Sequence, residues 1–306
     1  MLPTIKPKTA RSKRALEKRE PKVIENPKKT LVVRGSQTSL VIQNLLKDLL
    51  SIKKPLVVNL SKRNEIHPFD DETKIEFLGT KNDASLFTIG SHSKKRPNNL
   101  VIGRLFDHKL FDMFEFEVSN FLSIEQIKGP TCSAGIKPLI VFAGEHFTLN
   151  PALTKLKNLF TDFFQGEKAD AVCLTGLEHV ISITVELIDP KNTTLTFTED
   201  LSNYKFYFRS YHTSLLKSGQ KLPRVELENM GPFFDLVVRR YKTASDEAWK
   251  LSTRIPKELF IKKTKNISHD EFGNKLGRVH VGTQDIQKIQ TRKVKALKKK
   301  PLHTIE

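Results

Sequence analysis

An approximate internal repeat constrains this chain more than any other feature. Leu31-Val32-Val33-Arg34-Gly35 is a short apolar run closed by glycine, which reads as a strand. Ile42, Leu45, Leu46 and Leu49 follow at i, i+3, i+4, i+7, one face of a helix over Ser39–Ser51. Pro55–Val58 reads as a second strand, and Ser85–Gly90 and Asn99–Arg104 as two more, joined by a basic loop. The same order then recurs. Pro138–Gly144 is again a strand closed by glycine, and Asn150-Pro151 is an N-cap followed by proline at the first helical position. Leu153, Leu156, Phe160, Phe163 and Phe164 recur at helical spacing. His179–Leu187 alternates as a strand, and Leu195–Thr198 with Tyr204–Arg209 form a closing pair. The offset is 108 from Leu31 to Leu139, 109 from Leu86 to Leu195 and 104 from Leu100 to Tyr204.

Two β-α-β-β-β halves, each too small for a strong core, are expected to pack as one pseudo-symmetric α/β domain over 31–245, with halves at about 31–136 and 137–245. Lys62–Lys81 reads as an irregular insert with turn signals at His67-Pro68, Asp70-Asp71 and Gly79. In 107–136, Phe111, Phe114, Val118, Phe121 and Leu122 fall at helical spacing before Gly129-Pro130 ends the segment.

The charge lies outside this repeat. The formal net charge is +18. Residues 1–30 hold ten Lys/Arg against Glu17, Glu20 and Glu25, and residues 255–306 hold thirteen against five acids. The middle, 31–254, is only +3. A basic N-terminal arm over 1–30 and a basic C-terminal extension over 246–306 are therefore expected, too poor in large apolar residues to build cores of their own. Such arms suit a polyanion. A membrane does not fit: no stretch pairs the basic residues with a continuous apolar face. Runs such as Leu139–Ala143 fall far short of the ~20 residues of a span. Met1–Lys8 has no apolar core of a secretory signal. Cys132 and Cys173 make neither a disulfide framework nor a four-ligand metal site and are expected as buried reduced thiols.

Catalytic patterns are missing. The stretch Gly129–Lys137 lacks the Gly-Lys-Ser/Thr of a phosphate loop, and there is no G-x-G-x-x-G, H-E-x-x-H or G-x-S-x-G. Cys173 and His179 lie six residues apart, which is no nucleophile signature. No cofactor, no metal and no enzymatic activity are expected.

Three basic features point toward RNA. Ser91–Asn99 joins two strands and carries Lys94, Lys95 and Arg96 among small polar donors, a composition suited to phosphate and sugar contacts. It also reads as a solvated charged hairpin. On Tyr204–Tyr211, alternation places Lys205, Tyr207, Arg209 and Tyr211 on one face, able to stack bases and bind phosphates or to lie under solvent or protein. The third feature is the pair of arms, including Lys293, Lys295, Lys298, Lys299 and Lys300, a block that suits nuclear import, rRNA penetration or both.

The run from Ser91 through Asn99-Leu100-Val101-Ile102-Gly103-Arg104 resembles a signature of the Brix family, and within it of the branch that serves the large ribosomal subunit. Lys6-Pro7-Lys8 and Lys18-Arg19-Glu20-Pro21-Lys22 are similar to the same branch, as are Lys265–Asp270 and Gly277–His280. Val225–Arg240, with Gly231-Pro232 at its centre and Arg239-Arg240 at its end, resembles the closing motif of Brix domains generally. The resemblance covers almost the whole chain. It implies two similar α/β halves, akin to the anticodon-binding domain of some tRNA synthetases. The C-terminal tail is expected to be short, because the sequence stops soon after Lys298–Lys300.

It also implies a non-enzymatic factor of the nucleus and nucleolus. Such factors pair with the regulator of ribosome synthesis protein and bring 5S rRNA, with its two ribosomal proteins, to large-subunit rRNA. The candidate RNA contacts are then Lys94, Lys95, Arg96, Lys205, Arg209, Arg239 and Arg240, with Lys293, Lys295, Lys298, Lys299 and Lys300 in the tail. A Brix sibling of the small-subunit pathway and a subunit of an RNA-processing enzyme are the alternatives.

Overall fold

In the computed structural model the backbone follows from which faces the apolar residues must cover. The structure describes residues 6–20, 22–167, 169, 171–188, 201–260, 264–283, 285 and 288–289. Residues 1–254 form one unit and 255–306 a second.

The first unit opens with α1 (Ala10–Glu17), an eight-residue helix capped by Thr9 and without a buried residue. The arm builds no core, but Thr9 and Ser12 form a reciprocal capping box that closes the first turn of this helix. Then come β1 (Thr30–Gly35), α2 (Leu40–Lys53), β2 (Val57–Asn64), α3 (Thr73–Asn82), β3 (Leu86–Ser91), β4 (Asn99–Phe106) and β5 (Lys109–Leu122). After these follow β6 (Leu139–Ala143), α4 (His146–Leu149), α5 (Pro151–Phe164), β7 (His179–Leu187), β8 (Tyr204–Leu216), β9 (Arg224–Asn229), β10 (Phe233–Lys242) and α6 (Asp246–Ser252). The second unit holds a small antiparallel pair, β11 (Ile267–His269) and β12 (Lys275–Gly277).

One sheet runs through the first unit in the order β2-β1-β3-β4-β5-β10-β8-β7-β6, with β9 paired to β8. The pseudo-symmetry is visible in it. β1 runs parallel to β3 (Leu31 beside Phe87), as β6 runs parallel to β7 (Leu139 beside Val180). β3-β4-β5 and β7-β8-β10 are both antiparallel, and β5 meets β10 where the halves join. The counterpart of β3 is thus β7. The expected equivalence of Leu86 with Leu195 is not the pairing observed, and Leu195–Thr198 lies outside the described residues.

α2 and α5 cover one face. Ile42, Leu45, Leu46 and Leu49 from α2 and Leu153, Leu156, Leu159, Phe160, Phe163 and Phe164 from α5 join Phe114, Phe116, Phe206, Phe208 and Phe234 in one core. Both helices start as the sequence indicates. Ser39 accepts from the Ile42 N–H, Asn150 accepts from the Ala152 N–H, and Pro151 takes the first position of α5. α3 covers the opposite face of the first half, where Ile75 packs with Leu31, Val33, Phe87, Ile89, Val101 and Met113.

Three further expectations are corrected. The insert at 62–81 contains the end of β2 and α3 up to its last residue, because Ile75 and Leu78 give a helix one apolar side. The helical spacing in 107–122 belongs to the 14-residue strand β5. Both of its faces are covered, Phe114, Phe116 and Val118 by the helices and Met113 by the α3 side, so burial on both faces hid the period of two. Cys132 is half-buried and Cys173, in the connection between α5 and β7, is exposed, so neither is the buried thiol expected. Among the described residues no helix is long and apolar enough to cross a membrane, and no cluster of His, Cys, Asp and Glu has the form of a metal site.

Candidate nucleic-acid interface

The order β2-β1-β3 makes β1 a switch point: the chain leaves it toward β2 through α2 and comes back to β3 through α3. In open α/β sheets a crevice forms where connections diverge at the carboxyl ends of such strands. Here the crevice is about 300 Å³ and is lined from all three sides: Ser36 and Gln37 after β1, Ile66–Asp70 after β2, and Ser91–Ser93 with Arg96 after β3. Ile89, Val101 and Glu115 from the sheet line it too, together with Arg240 from β10.

The loop between β3 and β4 is held at the mouth of this crevice by its own backbone. Ser93 and Arg96 exchange N–H···O bonds of 3.1 and 3.2 Å. The Ser93 hydroxyl accepts the Arg96 N–H at 3.1 Å, and the His92 N–H reaches the Gln37 carbonyl at 2.8 Å. Asn98 adopts φ +45 and accepts the Ser39 hydroxyl at 2.7 Å, tying the loop to the start of α2. Lys94 and Lys95 stand exposed at its tip. Among the described residues neither makes an ion pair.

The other candidate cations are held differently. Glu115, 2% exposed, accepts Asn99 at 2.7 Å and Arg240 through Nε, and lies 3.5 Å from the exposed Arg96 guanidinium as an ion pair. Arg240 also lies over the Phe69 ring at 4.0 Å. Arg239 binds Glu117 at 3.1 Å, the Asn99 side chain at 3.1 Å and the Pro97 carbonyl at 2.9 Å. On β8, Lys205 and Arg209 both reach Asp235, at 3.0 and 2.7 Å, and flank the Tyr207 ring, whose hydroxyl donates to Glu186 at 2.8 Å. Burial would raise Asp235, but hydrogen bonds from Asn120, Arg209 and Lys205 hold its carboxyl below the ordinary range. The Asp235 hydrogen bond in turn raises Lys205. Lys293, Lys295, Lys298, Lys299 and Lys300 lie outside the described residues.

A sheet face that reads as basic in one strand is therefore an array of ion pairs across β8, β10 and β5. Glu115, Glu117 and Asp235 were not among the sequence candidates. Their signal was present: Glu115 and Glu117 alternate with Phe114, Phe116 and Val118, and Asp235 is a lone acid inside Phe233–Val238. An acid inside an apolar strand must find cations when buried.

Comparison with known proteins gives this arrangement its context. A model of the Brix domain matches residues 35–240, from the end of β1 to Arg240. The human ribosome production factor 2 homolog is 47% identical over 273 residues, covering 89% of this chain and 84% of that protein. The Drosophila melanogaster homolog is 44% identical, covering 97% and 88%, and the ribosome biogenesis protein RPF2 of Saccharomyces cerevisiae is 40% identical, covering 98% and 86%. Among solved structures, a probable ribosomal biogenesis protein from Aeropyrum pernix K1 aligns at 11% identity with a TM-score of 0.41, over 71% of this chain and 99% of that one, too weak a likeness to add to the argument. These matches place the chain in the Brix family, among the ribosome production factor 2 homologues, which are non-enzymatic ribosome biogenesis factors.

Proposed function

We propose that this protein is a nucleolar assembly factor of the large subunit that holds rRNA and helps recruit 5S rRNA, with its two ribosomal proteins, into the precursor particle. The observation that carries the RNA reading is the Ser91–Asn99 loop, a preformed hairpin presenting Lys94 and Lys95 without ion-pair partners among the described residues. Phosphate contacts need cations that are not already neutralised, and these two meet that condition. Arg96, Arg239, Arg240, Lys205 and Arg209 hold the surface around the loop in shape through their carboxylates, and the tail lysines add charge without sequence preference.

The protein partner in this reading is the regulator of ribosome synthesis protein. In the first half β2 covers the outer edge of β1, and α3 covers the sheet face opposite α2. Among the described residues the second half has no counterpart of either. Leu139 and Val141 on β6 are exposed at 48% and 42%. A partner that pairs with the β6 edge and covers these side chains supplies what β2 and α3 supply in the first half.

The test is co-purification of the tagged full chain from cells. Enrichment of 5S rRNA and the regulator supports the reading. Enrichment of U3 RNA assigns the chain to the small-subunit pathway instead. Val141→Asp is expected to release the regulator while leaving RNA binding by the loop intact.

A further inference from the structure

The switch-point crevice behind the Lys94–Lys95 loop has walls that suit a base. Its two arginines, Arg96 and Arg240, both pair with buried Glu115, whose single negative charge balances one of the two. At the start of α2 the Ser39 hydroxyl takes the Ile42 N–H and bonds Asn98. A phosphate entering the crevice would have to share these arginines with Glu115. What the walls do offer is a stacking surface and neutral polar edges. Phe69 and the Arg240 guanidinium form a preassembled aromatic–cation pair at 4.0 Å, and planar groups of both kinds are surfaces on which unpaired bases stack. Gln37, Ser91 and Ser93 line the same space with groups that both donate and accept. The volume of about 300 Å³ stands at the lower end of small-ligand pockets, roughly 300–1,000 Å³, the size for one nucleotide and not for a helix or duplex.

We propose that this crevice takes one unstacked nucleotide of a single-stranded RNA segment, its base against the Phe69–Arg240 pair, while Lys94 and Lys95 at the rim hold the adjacent phosphates. The inference rests on the rRNA-binding reading of the loop and adds a base-dependent contact to it.

The two contributions separate by salt and by base. Full-length protein is titrated with a ten-nucleotide adenylate strand and with an abasic sugar-phosphate strand of the same charge, each at several salt concentrations. The wild type is expected to prefer the adenylate strand. Phe69→Leu is expected to lower adenylate affinity roughly 5- to 150-fold, the worth of one base–aromatic stack. It leaves the abasic affinity and the salt slope unchanged. Lys94→Ala/Lys95→Ala is expected to weaken both strands and flatten the slope. As a second measurement that needs no variant, a decauridylate carrying one 4-thiouridine is irradiated on the wild-type protein, and the cross-link is expected within 67–69 or 91–93.

Equal affinity for the two strands, or cross-links elsewhere, overturns the proposal. If the lysine pair alters binding and Phe69→Leu does not, the loop reading stands and the crevice falls. If neither alters binding, both fall. If Phe69→Leu spares RNA but loses the protein partner on co-expression, the crevice is a protein pocket.

Discussion

Arg104→Met tests the packing of the two halves directly. Arg104 on β4 is 6% exposed and fully engaged. Its Nε donates to Asp112 on β5 at 2.8 Å and its Nη2 to the second oxygen of the same carboxylate. Nη1 reaches across to α5, 2.6 Å from both Asn158 and Asp162. The guanidinium lies over Phe111 and over Trp249 of α6, at 5.3 and 5.4 Å. Lys28, just ahead of β1, closes the network at 2.8 Å from Asp162. One side chain thus ties β4 and β5 of the first half to α5 of the second. Burial would raise Asp162, but Lys28 and Arg104 hold it below its ordinary value, while burial keeps Asp112, 1% exposed, above its own even with the guanidinium against it.

Methionine keeps the apolar stem and removes the charge, leaving Asp112 ionised without a partner. Breaking such a buried pair costs about 3–5 kcal/mol. For a unit of 254 residues each kcal/mol moves Tm by about 2–4 °C, so a fall of about 6–20 °C is expected. The assay is thermal and urea unfolding of the full chain at pH 5 to 8. A carboxyl whose folded pKa lies above its unfolded value loses stability as pH rises through the folded pKa. Removing Arg104 raises Asp112 further, so the defect should shrink toward pH 5. Adding Asp112→Asn to Arg104→Met should recover part of the loss at pH 7. A Tm within about 2 °C of wild type, or a double variant no better than the single one, refutes the reasoning.

Three other outcomes are expected. His179 is buried against Ser210, and burial together with the His212 charge pushes it down to about 4, so it stays neutral when the unfolded chain protonates near 6.5. Stability should therefore fall by up to about 3 kcal/mol as pH drops from 6.5 to 4, and His179→Gln should flatten that part of the urea-denaturation profile. Asp235→Asn should cost about 1–3 kcal/mol at pH 7 by weakening the bonds to Lys205 and Arg209. Because the native Asp235 pKa is depressed, that difference should shrink below pH 4, and a difference constant from pH 7 to 3 would count against it. Lys94→Ala/Lys95→Ala should move urea stability by less than about 0.5 kcal/mol, yet reduce the salt slope of RNA binding by about 1.5, the share of two neutralised phosphates.

The helix of each half was legible because α2 and α5 bury one side and carry clean caps at Ser39 and Asn150. β5 was not, because a strand covered on both faces shows neither a period of two nor one of 3.6. α3 escaped because its apolar contribution is small, with Ile75 and Gly79 its only fully buried residues. The Ser91–Asn99 loop was legible as a presented turn between two strands. The state of its neighbours was not: Arg96 and Arg240 look alike in sequence, and only the pairing of β5 with β10 brings Glu115 beside Arg240. Charge in a sequence is additive, whereas charge on a folded face depends on which strands became neighbours.

That difference bears on how the two halves divide the work. The repeat predicts equivalent halves, and the strand pairings bear it out, but β2 and α3 belong to the first half alone among the described residues. Their addition does two things at once. It roofs one sheet face, and its loop at Ile66–Asp70 supplies the third wall of the crevice. The second half, without that addition, keeps Leu139 and Val141 in solvent and its cations on Asp235. A phosphate bound there would have to compete with a buried carboxylate for Lys205 and Arg209, paying for the loss of existing ion pairs. A protein covering the same face needs only to remove apolar surface from water and can leave those pairs in place, gaining about 25 cal/mol for each Å² of apolar area it buries. The physical asymmetry therefore favours RNA at the first half and protein at the second, although the sequence repeat alone assigns them no different roles.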